Sequence, residues 1–213
     1  MSQPNGAYTV SDASADVGFH HGATAADLNG HGRVDVVVAN NFDPDRIYTL
    51  LNDGTGHFVR ETSSRLPASL RNGGNYYSVE LVDLNEDGKL DLLVGGHEFE
   101  GAATAAFINP GSNNFAAVAA TAIPAVPNEG IALDFTVTGT GSTRALWVLR
   151  TSGGDGMFHQ GRVVQRVTYP ALASSVVSNQ RPAQRIPWPI PAVVGRTHVI
   201  TSDNAADAIS LPK

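Results

Sequence analysis

Two nine-residue stretches carry the residue types that bind a hard cation. In Asp83-Leu84-Asn85-Glu86-Asp87-Gly88-Lys89-Leu90-Asp91, positions 1, 3, 5 and 9 are oxygen donors, position 6 is glycine, and the Lys89 carbonyl stands at position 7. In a tight loop all five oxygens can turn inward, which suits calcium and its demand for about 6–8 oxygens at about 2.3–2.6 Å. Asp83, Asn85, Asp87, Lys89 and Asp91 therefore form the main candidate Ca2+ site, with a formal charge of −3. The other stretch offers Asp27, Asn29, His31, the Arg33 carbonyl and Asp35, with a formal charge of −2. His31 brings a nitrogen that hard cations disfavour, so this loop either holds metal with water in place of the missing carboxylate or holds none. A third loop, placed from Asp134, has one acid and is expected to be empty. An EF-hand or a dockerin needs an acid at position 12; Val38 and Val94 stand there, inside apolar runs.

Other chemistry is sparse. Neither Gly-x-Ser-x-Gly nor His-Glu-x-x-His occurs, and no phosphate loop is visible. His20-His21 and the His97–Glu100 stretch read as exposed loop residues and not as a catalytic or transition-metal cluster. Glu61, Glu98, Glu100 and Glu129 are the carboxylates whose substitution would test for catalysis. Gly153-Gly154-Asp155-Gly156 resembles a fragment of a nonapeptide calcium repeat, in a single copy. Tyr76, Tyr77 and Trp188 sit among turn residues, where an aromatic ring either stacks on a sugar or packs between elements. Trp147, inside an apolar run, reads as core.

The elements that position these residues repeat. Residues 27–35 match residues 83–91 at five of nine positions, at an offset of 56. Leu50–Phe58 then matches Phe107–Phe115 at an offset of 57. Runs such as Ile47–Leu51 and Ser78–Val82 are short, β-branched or alternating, and bounded by Gly, Asn and Asp, which predicts strands. Asn52-Asp53-Gly54 reads as a tight turn. Each unit thus contains about four strands. A degenerate third unit is read with Ile131–Asp134 at the place of Glu80–Asp83, and a fourth lies between Ile190 and Leu211 with Val199–Thr201 as its best strand. Four-stranded units of this length are blades of a β-propeller. The expected fold is all-β: a single repeat domain over 1–213, with about four four-stranded blades at 18–70, 71–126, 127–180 and 181–213. It is either a small closed ring or half of a larger propeller, with residues 7–10 as closing strand.

Composition excludes several classes. The chain has 213 residues, no cysteine and a net charge of −6, with only Lys89 and Lys213 as lysines. Disulfide frameworks and thiolate metal sites are out, and nucleic acid is an unsuitable partner for an acidic surface. Apolar runs fall short of the roughly 20 residues a membrane helix needs. Met1–Gly6 shows no basic or apolar leader region, so either the protein stays inside the cell or a leader has been removed.

The Asp-Leu-Asn-x-x-Gly-x-x-Asp loops, the apolar strand after each, and the Leu50–Phe58 turn are similar to FG-GAP/VCBS repeats, the blades of integrin-alpha-like β-propellers. The resemblance covers about 100 residues from Ala26 to Phe115. It implies calcium in the Asp83 and Asp27 loops, from which His31 departs, and an extracellular or cell-surface location. Family propellers usually have more blades than this chain holds, which implies a fragment, a small ring, or a homodimer that completes a propeller. The expected function is a non-catalytic, calcium-stabilised module for binding or adhesion, with glycan or protein as ligand. The alternatives are an accessory or catalytic domain acting on polysaccharide, or a purely structural repeat.

Overall fold

Short β-branched runs between turn residues suit a pleated, half-buried surface, and they form strands throughout. The computed structural model describes residues 18–41, 45–61, 64–152 and 161–180, and the backbone of three later strands. The first sheet contains β1 (His20–Ala26), β2 (Asp35–Asn40), β3 (Ile47–Asn52) and β4 (Phe58–Arg60). One helical turn, α1 (Ala68–Arg71), leads to the second, with β5 (Tyr76–Val82), β6 (Asp91–Gly96), β7 (Ala105–Phe107) and β8 (Thr121–Ala122). The third contains β9 (Ile131–Thr138), β10 (Ala145–Thr151), β11 (Arg162–Thr168) and β12 (Ser174–Gln180). Each is a four-stranded antiparallel meander with its strands in chain order. A further sheet has three strands, β13 (Ile190–Val194), β14 (Thr197–Thr201) and β15 (Ile209–Ser210). Pro191 lies on its edge strand β13, where a missing N–H is tolerated. Residues 7–10, 153–156 and Trp188 lie outside the described residues.

The three four-stranded sheets pack face to face through their first strands, with β5 between β1 and β9. Val37, Ile47, Val79, Leu92 and Val94 fill the space between the first and second sheets. Leu93, Ala106, Phe135, Leu146 and Val148 fill the space between the second and third. The second sheet is thus covered on both faces, so Leu92-Leu93-Val94 runs apolar without alternation. Where blades come closest, side chains shrink to nothing: a Cβ on Gly22 would stand 2.6 Å from the Tyr77 carbonyl oxygen, and one on Gly95 2.7 Å from the Ala132 Cβ. Trp147 is buried, as expected, and donates its indole N–H to the Thr138 hydroxyl.

One expectation is corrected. Asp134 does not open a third cation loop; it lies inside β9, opposite Leu149. The β9–β10 connection runs from Gly139 to Arg144, with Thr138 opposite Ala145 just as Val82 faces Asp91. Thr136 and Thr138 are strand residues and not counterparts of Asn85 and Asp87. Ile131–Leu133 resembles the end of β5 only in apolar character, and a strand core looks alike at any register.

Leu93 is fully buried between two blades. Leu93→Ala is expected to cost about 2–5 kcal/mol in urea unfolding, since neither rigid sheet can close the cavity.

Candidate functional site

Each blade has two chemically different ends. One carries the connections from first to second strand, residues 27–34, 83–90 and 139–144. The other gathers the starts of the first strands and the ends of the second.

At the loop end the first two blades share most of one hydrogen-bonded frame. The Asp35 Oδ2 accepts the Leu28 N–H at 3.0 Å, and the Asp91 Oδ2 accepts the Leu84 N–H at 3.0 Å. Their Oδ1 atoms accept the N–H groups of Asn52 at 2.9 Å and Asn109 at 2.8 Å. Asp27 accepts from His31 at 3.2 Å and Gly32 at 2.8 Å; Asp83 accepts from Asp87 at 3.1 Å and Gly88 at 3.0 Å. Asn29 and Asn85 accept the N–H of position 5 at 3.2 and 3.1 Å. The Gly32 N–H, joined by those of Gly30 and His31, holds the Asp27 carboxyl below the usual carboxylate range. In the second loop, Lys89 Nζ lies 3.3 Å from Asp87 as an internal counter-charge. Burial pushes the Asp91 carboxyl up, the N–H groups of Asn109 and Leu84 oppose this, and the charges of Asp87 and Asp83 add to it. A cation would relieve that crowding, and the donor set of Asp83, Asn85, Asp87, the Lys89 carbonyl and Asp91 is all oxygen, so these residues fit calcium. The third blade has no such set: Ala145 replaces the buried aspartate, and Arg144 bonds the carbonyls of Asp83, Leu84 and Gly139.

At the opposite end, a β-bulge recurs in each of the three four-stranded sheets. His21 is the extra residue between the pairs His20–Asn40 and Gly22–Ala39. Tyr77 is the extra residue between Tyr76–Gly96 and Ser78–Gly95. Leu133 is the extra residue in the third blade, between Ala132–Arg150 and Asp134–Leu149. Bulges re-aim side chains, and here they line up rings from two blades. Phe19 meets His21 at 4.5 Å between centroids, His21 meets Tyr77 at 4.2 Å, Tyr77 meets His97 at 4.5 Å, and His97 stacks on Phe99 at 4.8 Å. Phe19 and Phe99, the two ends of the ladder, are 59% and 44% exposed. The Glu100 carboxylate lies 2.8 Å from His97 Nδ1 and also accepts from the Asn75 amide. Partial desolvation holds His21 below the ordinary imidazole range although the residue is largely exposed, helped by His97; burial lowers His97 too, against the opposing pull of Glu100. Burial, with the Glu100 charge, pushes the Tyr77 phenol up. The result is a row of neutral rings with exposed ends beside one carboxylate.

Other expected site residues separate by burial. Tyr76 is 2% exposed and packs in the core, so it offers no ring to a ligand. His97 is buried at the end of β6 and not an exposed loop residue, whereas His20 and His21 are exposed but belong to β1. Glu61 forms a paired contact with Arg65, at 2.8 and 2.9 Å. Glu98 holds the fully buried Arg150 at 2.8 Å, joining the second blade to the third. Glu129 is fully buried. Two carboxylates whose pairing the sequence does not show come together on the first strands: Glu80 on β5, and Asp134, expected to open a third loop, on β9. Burial, then the nearby Asp134, pushes Glu80 up to about 7 despite a hydrogen bond from Thr24; burial pushes Asp134 up to about 6, against the Phe135 N–H. Glu80 borders a cavity of about 240 Å³ with Leu93, Phe135 and Val137.

These features define a propeller-like repeat module. The model of the FG-GAP-like repeat matches residues 27–94, so the resemblance read from the loops holds there. Among solved structures, the exo-β-1,3-galactanase from Phanerochaete chrysosporium, solved with β-1,3-galactotriose, shares the fold at a TM-score of 0.52 and 10% identity. The similarity covers 86% of this chain and 43% of that one, so the chain spans less than half of the galactanase. No curated protein matches the sequence.

Glu80 and Asp134 hold protons in the folded chain that they release on unfolding between about pH 4 and 7. Folding takes up protons in that window, so this pair's contribution to stability falls as pH rises through it. Glu80→Gln is expected to raise the melting temperature above pH 7 and to flatten the profile between pH 5 and 7. Superimposable profiles for variant and wild type would contradict the assignment.

Proposed function

We propose that the protein is a non-catalytic β-propeller module for binding or adhesion, stabilised by calcium in the Asp83 loop and taking glycan as its ligand at the bulged end. The observation that carries this reading is the ring ladder from Phe19 to Phe99. Pyranose rings present apolar faces to aromatics and hydroxyls to neighbouring polar groups; Tyr77, Phe99 and Glu100 supply both. In this reading the chain works outside the cell or at its surface. Its blades, with β13–β15 as a fourth, close into a small ring or meet a second copy. A protein ligand at the same end is the other outcome. A second reading, a polysaccharide-acting enzyme or its accessory domain, draws on the galactanase-like fold and on the Glu80–Asp134 pair.

A glycan array probed with the chain, in calcium and in chelator, tests the ligand. Saturable hits that Tyr77→Ala and Phe99→Ala abolish without loss of fold support the reading; a blank array overturns it. The metal is tested separately. With free calcium tenfold above its dissociation constant, stabilisation should be about 1.4 kcal/mol, and Asp83→Ala should remove the melting shift. A shift that survives in this variant places calcium elsewhere.

A further inference from the structure

We propose that Asp27, His31 and Asp35 form a site for a divalent transition metal of the zinc class, and not a second calcium site. Among the described residues, these three offer ligand atoms that all lie within 4.8 Å of one another. The two loops provide an internal comparison. Their buried aspartates make the same hydrogen bonds, and among the side-chain metal donors the one at position 5 is what differs between them. In the second loop that donor is a carboxylate: the Asp87 Oδ1 accepts the Lys89 N–H at 2.9 Å. In the first it is an imidazole, whose Nδ1 accepts the Arg33 N–H at 3.1 Å.

That bond sets the tautomer of the metal-free loop. With Nδ1 acting as acceptor, Nε2 carries the proton and directs it at the Asn52 carbonyl, 3.1 Å away, and towards the Asp35 Oδ1, 3.4 Å away. The N–H therefore points where oxygen donors gather. Zinc bonds of about 2.0–2.2 Å at tetrahedral angles separate neighbouring ligands by about 3.3–3.5 Å, and the Nε2–Asp35 distance is already of that size. For a metal to take the Nε2 lone pair, the imidazole proton moves from Nε2 to Nδ1, the Arg33 N–H bond is given up, and the Asp27 Oδ1, 3.4 Å from Nδ1, stands beside the relocated proton; the ring stays neutral throughout. The Asp27 and Asp35 carboxylates supply a charge of −2, which neutralises a divalent ion. Calcium lacks its oxygen count here and disfavours the nitrogen. Imidazole with carboxylates suits zinc, cobalt or nickel instead. Asp35 is fully buried and held by two backbone N–H groups, so one ligand is fixed before metal arrives.

This inference does not depend on glycan binding or on calcium in the second loop. Cobalt(II) titration of the full chain, followed by visible absorption, tests it. One equivalent should produce a band that zinc displaces and excess calcium leaves intact. His31→Asp copies the donor of the second loop and should keep the fold; it should abolish the band. His20→Ala should leave the band unchanged. A band that survives in His31→Asp, is lost in His20→Ala, or is displaced by calcium would overturn the proposal, as would the absence of cobalt binding by the wild type.

Discussion

The buried carboxylates of Asp35 and Asp91 are the constraint on which the first two blades depend. A fully buried aspartate is costly unless its oxygens are bonded. Each is served by an N–H from the start of its own loop and another from the end of the third strand. Charge-assisted bonds of this kind contribute roughly 1.5–3 kcal/mol each. Meeting the demand of one side chain thus closes the loop, aligns three strands and starts the next turn, because Asn52 and Asn109 then accept from Gly54 and Gly111 at 2.9 and 2.8 Å. The third blade shows the same architecture without the device. There Ala145 takes the buried place, the loop shortens, and a guanidinium from Arg144 gathers carbonyls of the second blade.

The closed loops leave the opposite end free to vary. Backbone bonds hold the frame at one end, so the bulge at the other can present histidine, tyrosine or leucine without loss of the sheet. Between the ends, Arg150 and Glu98 link the second and third blades through charge, while Leu93 and Phe135 link them through apolar contact. The raised Glu80 and Asp134 are the cost of placing two acids on the crowded first strands.

Much of this was legible in the chain. The offset of 56 marked the repeat, the Asp-x-Asn spacing marked the loops, and the apolar runs marked the second strands. The ring ladder was only partly visible. Tyr77 stood out as an aromatic among turn residues, but nothing separated it from Tyr76, whose ring faces the core. The bulge makes that difference, and a bulge leaves no composition signal. His97 looked like a loop residue because glycine precedes it and acids follow it; a neighbouring blade buries it. The register of Asp134 is not legible from the chain, because strand cores have no landmark once the terminal aspartate is gone.

The sequence by itself determined the repeat, the all-β class, the donor atoms in each loop and the departure at His31, because these depend on spacing within a few residues. Tertiary structure alone decided which residues meet across blades. His21 and Tyr77 are 56 positions apart, and Glu80 and Asp134 are 54 apart. Their contacts follow from how sheets stack and where each strand bulges, and the balance of packing over the whole module sets both.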